Sequence, residues 1–433
     1  MKRMRVIFCA ALAALGLSTA AFARSEIDET FGYVGFIRYG FGAVPGGTLD
    51  DRGVVACPGP LGSLYVAGTA SGDRRIVSAW LDESGGLDTR FSDDGKESFD
   101  LPPAVRTAYG ETGLCQSDGK VVVAMEFADA NDVGTLMLVK LDPATGKPDP
   151  AFGAAGWVSF DVSAQVGGLN KIEVPTLVSP GRDGDILVGG WYDDVRGLRH
   201  GYLVRVTRNG VVAAFASAAA FDVTASMFGA AVASPDGAIW AATVHASYPG
   251  MPSTLVRLDY ATLKFQEKLQ ASLGAGFVPR SGRLVDDALV LAGATGTTPV
   301  VSIVRERGYT QTPLPAIPGA NAVRSAQVVP RANGNLLVAA HVLDARDFGF
   351  GYYFASLVRA PDDALAPDPA FGVGGVSFTT PTIVTGCTPV GPQFARMTLW
   401  NDRPVWVGSA TVCDPGRPAH LDYLVLRLKA PGA

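Results

Sequence analysis

"PDPAFGAAGWVSF" at residues 148–160 returns almost letter for letter as "PDPAFGVGGVSF" at 367–378. A chain that writes a dozen residues twice is building one small structure more than once. Weaker copies set the period. "DETFG" ends at Gly32 and "LDTRFSDDG" carries Phe91, so Phe31, Phe91 and Phe152 stand 60 and 61 residues apart. Phe371 lies 219 residues beyond Phe152, which is four units of about 55.

Two further markers fill in the unit. "SFD" at 98–100 and 159–161 returns as "AFD" at 220–222, which puts the Ala-rich stretch from Val211 to Ala233 in register as a worn copy and favours strand over helix there. A turn rich in Asp, Asn and Gly leads into a short apolar strand seven times: "LGSLYVAG" from Leu61, "DGKVVVAM" from Asp118, "DGDILVGG" from Asp183, "DGAIWAAT" from Asp236, "DDALVLAG" from Asp286, "NGNLLVAA" from Asn333 and "NDRPVWVG" from Asn401. Each is followed, after a loop, by another apolar strand, from "IVSAWL" in the first unit to "YLVLRL" in the last. The unit therefore reads as four strands: one before the turn, one after it, a third after the loop, and a fourth at the Phe-Gly motif. Such a unit is apolar on both faces and is stable only against neighbours. Radial stacking of seven gives an all-β, seven-bladed β-propeller of four-stranded blades. A linear solenoid is the alternative, but neither end carries a distinct polar cap.

The "DPAFGxxG" and Asp-Gly-strand pattern, with "DYLVLRL" at 422–428, resembles the delta-60 repeat of exported bacterial proteins. The resemblance covers most of the chain after the leader, and the Phe-Gly signature is lost between about residues 213 and 330. It implies a propeller-like fold and an exported protein, and it implies no reaction, cofactor or catalytic residue.

Ends and composition agree with that picture. Lys2, Arg3 and Arg5, an apolar core from Val6 to Thr19, and Ala21-Phe22-Ala23 form a signal peptide over residues 1–23, too short to span a bilayer. Residues 24–433 are then one propeller domain. Loss of the three leader cations takes the net charge from −5 to −8, which disfavours a nucleic-acid partner. Gly (52) and Pro (29) are abundant and charge is low at 18%, the profile of short buried strands between turns. No later apolar stretch reaches membrane length. The chain begins on a Phe-Gly strand and ends on a third strand, so residues 30–41 are expected to join the outer edge of the last blade and close the ring.

Chemistry is sparse. The Asp-Gly pairs offer one carboxylate per turn, too few for calcium, and suit tight hairpins. "LDPATGK" at 141–147 reads as a hairpin. The inner strands, taken as "GVVAC", "TGLCQ", "PTLVS", "AAVAS", "GRLV", "AQVVP" and "ARMTLW", hold no His and no carboxylate, which argues against a hydrolytic channel. Arg52, Arg106, Lys171, Arg280, Arg324 and Arg396 precede or open these strands, but at varying offsets, so a cationic ring is not expected. His200, His245, His341 and His420 fall in or beside the loops between second and third strands. Solvated loop positions are the plain reading. With Trp191 and Tyr192 they also form a candidate binding face for a protein or glycan.

Cys387 lies in the crossing into the seventh unit and Cys413 in its second-to-third-strand loop, both on one face, so a disulfide is expected between them. Cys57 and Cys115 occupy similar places in the first two inner strands, and a bridge or two small buried sites fit equally well. The reading is an exported, monomeric binding scaffold with no cofactor and no metal. The alternative is an envelope enzyme of hydrolase type with a site built from face loops.

Overall fold

The structure is a computed structural model. It describes residues 27–429 apart from 33–34, 42–49, 71–74, 103–104, 106, 129–133, 168–172, 195, 223, 235, 246–250, 271, 307, 317–318, 345–349, 380–392 and 413–419. The expected signal peptide over residues 1–23 and the expected Cys387–Cys413 pairing therefore lie outside the described residues.

Seven antiparallel sheets form a ring. After β1 (Phe36–Tyr39), blade one is β2 (Asp51–Pro58), β3 (Leu64–Ala70), β4 (Arg75–Leu81) and β5 (Lys96–Asp100). Blade two is β6 (Thr107–Cys115), β7 (Val121–Ala128), β8 (Gly134–Leu141) and β9 (Trp157–Phe160). Blade three is β10 (Glu173–Pro180), β11 (Ile186–Asp193), β12 (Arg199–Val206) and β13 (Val212–Ser217). Blade four is β14 (Met227–Ala233), β15 (Ala238–Val244), β16 (Leu255–Asp259) and β17 (Phe265–Gln270). The Ala-rich stretch is thus strand, as its register in the repeat requires.

Blade five is β18 (Phe277–Val285), β19 (Ala288–Thr295), β20 (Thr298–Arg305) and β21 (Gly308–Pro313). In blade six, β22 (Ala320–Pro330), β23 (Leu336–Asp344) and β24 (Phe350–Arg359) are followed by β25 (Leu365–Pro367) and β26 (Val376–Thr379), which both pair with β24. Blade seven takes β27 (Gln393–Trp400), β28 (Arg403–Val412) and β29 (His420–Arg427) from the end of the chain and β1 from its beginning.

Second and third strands are apolar through their middles because both faces of each blade pack on neighbours. One cluster runs from Val55 and Tyr65 in blade one to Val123 and Met137 in blade two, and similar clusters join the other blades. The recurrent Asp-Gly turn has a second use besides the hairpin. The base near the end of the third strand reaches back to the turn carboxylate: Lys140 to Asp118 at 2.9 Å, Arg205 to Asp185 at 2.6 Å and Arg257 to Asp236 at 2.5 Å.

The repeated Phe-Gly motif is a corner. In every copy the Phe amide donates to the carbonyl of the Asp three residues earlier: Phe31 to Asp28, Phe91 to Asp88, Phe152 to Asp149 and Phe371 to Asp368, all at 3.0–3.1 Å. The Asp side chain in turn accepts the amide of the residue before the Phe, as in Ala151 to Asp149 and Ala370 to Asp368. The ring of Phe152 is then fully buried among side chains of blades two and three. Gly153 has φ +55, and its amide donates to the Asn209 carbonyl of blade three, so the corner fastens one blade to the next. A Cβ there would lie 2.1 Å from the Trp157 carbonyl oxygen, which is why Gly recurs.

Candidate functional site: the central channel

Each inner strand is broken by a β-bulge against its second strand. The register shifts fall at Gly53/Val55, Gly110/Thr112, Pro175/Leu177, Phe228/Ala230, Pro279/Ser281, Val323/Ser325 and Phe394/Arg396. A bulge inserts one residue, interrupts the in–out alternation and re-aims the side chains around it. The inserted residues are Val54, Glu111, Thr176, Gly229, Arg280, Arg324 and Ala395. Four of these seven positions carry polar side chains, and those of Thr176, Arg280 and Arg324 are exposed to the channel.

The bulges overturn two expectations. Inner strands reach further from their turns than the apolar fragments suggested, so β6 includes Glu111, β10 begins at Glu173 and β2 begins at Asp51. The inner strands therefore do carry carboxylates. The cations do not scatter at random heights either: Arg280 and Arg324 are both bulge residues and Arg396 stands next to one. Arg52 is set apart, paired with Glu111 at 3.9 Å and stacked on Tyr109 at 5.1 Å. Arg106 and Lys171 lie outside the described residues.

A pocket opens among the inner strands of blades two, three, five, six and seven. Arg280, Arg283 and Arg396 form one wall, and Thr112, Thr176 and Ser179 belong to the opposite blades. The Arg396 guanidinium crosses to blade three, donating to the Val178 carbonyl at 3.2 Å. Arg280, Arg283 and Arg324 make no ion pair or hydrogen bond among the described residues.

Burial pushes Arg396 down to about 10, with Arg283 adding repulsion, and burial plus Arg324 lowers Arg280. Burial alone lowers Arg283. Arg280 and Arg283 remain more than a third exposed, so water in the channel screens them and all three stay cationic near neutrality. On blade two, burial pushes Glu111 up to about 7, Glu126 reinforces this, and Arg52 opposes it. Glu173 is also raised to about 7 by burial, but it is a structural group. It accepts the amides of Leu136, Val162 and Ser163 and pins the short helix α1 (Val162–Val166) in the crossing between blades two and three.

The histidine-bearing face is built differently from expectation. His200, His245 and His341 are 7%, 6% and 5% exposed, so they are core residues at strand ends and not solvated loop positions. His200 sits on β12 with Asp194 at 3.3 Å and Tyr192 alongside. His245 meets Thr224 at 3.0 Å, and His341 stacks on Tyr352. His420 opens β29 opposite Val412. Trp191 offers no free platform, because Arg199 lies 3.4 Å over its ring, and Tyr192 is buried with its hydroxyl 2.9 Å from Ser217. No group of three or more potential metal ligands occurs among the described residues. Cys57 and Cys115 form a disulfide joining β2 to β6.

Residues 116–152 and 181–212 match a family model described as a domain of unknown function (DUF5122), β-propeller. The chain is built of propeller repeats. The two stretches fall on blades two and three, each from near its Asp-Gly turn, and the first ends at Phe152 of the Phe-Gly motif. No curated protein sequence matches the chain. Among solved structures it is similar to a provisional 6-phosphogluconolactonase of Bacteroides uniformis, at 14% identity and TM-score 0.49 over 86% of this chain and 98% of that one. A protein of unknown function from Dyadobacter fermentans shares 13% identity at TM-score 0.41, over 76% of this chain and 100% of that one. The allergen Mala s 1 of Malassezia sympodialis shares 11% at 0.41, over 69% and 91%. Likenesses this distant say nothing about ligand or reaction.

The signal for the channel was present in the sequence. "FVPRSGRLV" at 277–285 puts two cations into one inner strand. Arg283, Thr176 and Glu111 were missed because a bulge has no residue signature of its own.

Proposed function

We propose that this protein is an exported, non-catalytic binding propeller of the delta-60 type whose central channel takes a small anion. The observation that carries the reading is the wall of Arg280, Arg283 and Arg396, three guanidiniums with no carboxylate partner among the described residues. Cations brought together in a partly dehydrated pocket repel one another, and an anion of matching size relieves that repulsion. The planar donor fork of Arg also suits carboxylate and phosphate oxygens. Export is supported by the leader pattern and by a disulfide, which persists in oxidising compartments.

The channel replaces the loop face as the preferred binding surface, since Trp191 is already covered by Arg199. The test is calorimetry and thermal shift with phosphate, sulfate and citrate at low ionic strength. Binding is expected at one equivalent, with a loss of at least tenfold in Arg280→Ala and in Arg283→Ala. If no anion raises the melting temperature, or if both variants bind as the parent does, the reading is wrong.

A further inference from the structure

We infer that the occupant of the channel is a polyhydroxylated dianion, a phosphorylated sugar or a sugar diacid, with its charged end on the arginines and its hydroxyls toward blades two and three. The inference rests on the anion-binding reading and adds the body of the ligand to its charge.

Three observations carry it. The first is charge. Arg280, Arg283 and Arg396 share the pocket, and Arg324 bears on Arg280 from blade six. A monocarboxylate would leave most of that charge uncompensated, whereas a phosphate monoester or a diacid offsets two positive charges and offers several acceptor oxygens to the guanidinium forks.

The second is a set of hydroxyls with nothing to bind. Thr112, Thr176 and Ser179 line the side facing the arginines, and their hydroxyls make no hydrogen bond among the described residues. Ser281, between Arg280 and Arg283, has a buried Oγ with no partner. A buried hydroxyl left unsatisfied costs stability unless something pairs with it, and the three hydroxyls opposite are open to a partner in the pocket. Hydroxyls both donate and accept, and a polyol answers them one for one.

The third is size and shape. The lining is drawn from five blades, so a ligand that meets both the arginines and the facing hydroxyls must extend beyond a bare phosphate. Arg396 reaching across to Val178 narrows the channel, so the ligand is held and not merely passed.

The test compares five probes by calorimetry on the full exported chain: glucose 6-phosphate, glucarate, gluconate, glucose and inorganic phosphate. At least one of the two hydroxylated dianions should bind at least ten times tighter than both gluconate and phosphate, and glucose should not bind. Thr176→Val should bring the affinity for that dianion down toward that for phosphate, and Arg283→Gln should weaken every anion. Preference for glucose 6-phosphate over glucarate, or the reverse, identifies the source of the charge.

Phosphate binding as tightly as the better of the two dianions would remove the polyol contacts and overturn the inference while leaving the anion site standing. Gluconate matching that dianion would do the same to the charge argument. Failure of every anion would overturn both this inference and the binding reading beneath it. Circular dichroism of each variant separates lost binding from lost folding.

Discussion

Glu111 sits where chain geometry and electrostatics meet, on the blade-two bulge, with Arg52 3.9 Å away and Glu126 nearby. Burial moves it from an ordinary value of 4.5 to about 7, so folding disfavours its charged form. The penalty is absent below about pH 4.5, grows between there and about pH 7, and is complete above. Glu111→Gln should therefore melt with the parent near pH 4.5 and above it beyond pH 7, as thermal unfolding across pH will show. Parallel melting curves at every pH would mean that the carboxylate is fully hydrated. His341 runs the other way. Burial, then Arg324, lowers it from 6.5 to about 4, so its contribution is present above about pH 6.5 and lost as pH falls toward 4. His341→Asn should flatten that acid slope, read by the same melts. Neither residue's environment was legible beforehand. The sequence shows Glu111 immediately outside an apolar fragment and His341 at the edge of an apparent loop. Only the strand's true length, set by pairing across the sheet, puts the first on the bulge beside Arg52 and buries the second.

The strands and corners tell the opposite story, because their signals are local. Asp149 and Phe152 are spaced so that one backbone bond, one side-chain bond and one buried ring form together, and that arrangement is written in four consecutive letters. The repeat could be counted from it, and the four-strand unit and the ring followed. Phe152→Ala should cost about 3–5 kcal/mol, since a fully buried ring between two blades leaves a cavity that neither blade can fill. Gly153→Ala adds backbone strain at φ +55 and a clash with Trp157, and denaturant titration should rank it as strongly destabilising too. The inter-blade disulfide was only half legible. Cys57 and Cys115 were seen to occupy like positions, but like positions in neighbouring blades are compatible with either a bridge or separate packing. Closure of a 58-residue separation stabilises by roughly 4 kcal/mol in the chain-entropy view, so Cys57→Ala with Cys115→Ala should lower the unfolding midpoint without disturbing anion binding. Non-reduced peptide mapping should also recover a Cys387–Cys413 peptide. Two free thiols there would remove that second bridge.

A ring made from an open chain has one seam, and here the N-terminal strand makes it. β1 pairs with β29 from Phe36↔Leu426 to Tyr39↔Tyr423, and Ile27 bridges to Leu428. Arg427 is the bolt. It is 1% exposed, holds Asp28 through Nε at 2.9 Å, donates to the Glu83 carbonyl of blade one at 2.6 Å, and lies over the rings of Phe31 and Trp400. One side chain thus ties the first residues of the fold, the last blade and the first blade together. Without β1, the third strand of blade seven becomes a bare edge of apolar residues, the arrangement that pairs with other chains. Deleting residues 24–42 should remove these contacts together, cost well over ~5 kcal/mol and yield protein that self-associates. Deleting the last four residues should change little. Arg427→Met should fall between the two, keeping the strand but leaving Asp28 with Arg403 as its remaining cation at 3.1 Å. Thermal melts and sedimentation on the three proteins decide the matter. If the protein lacking residues 24–42 melts cooperatively at the parent's temperature and stays monomeric, the seam bears no load and the six complete blades hold the ring without it.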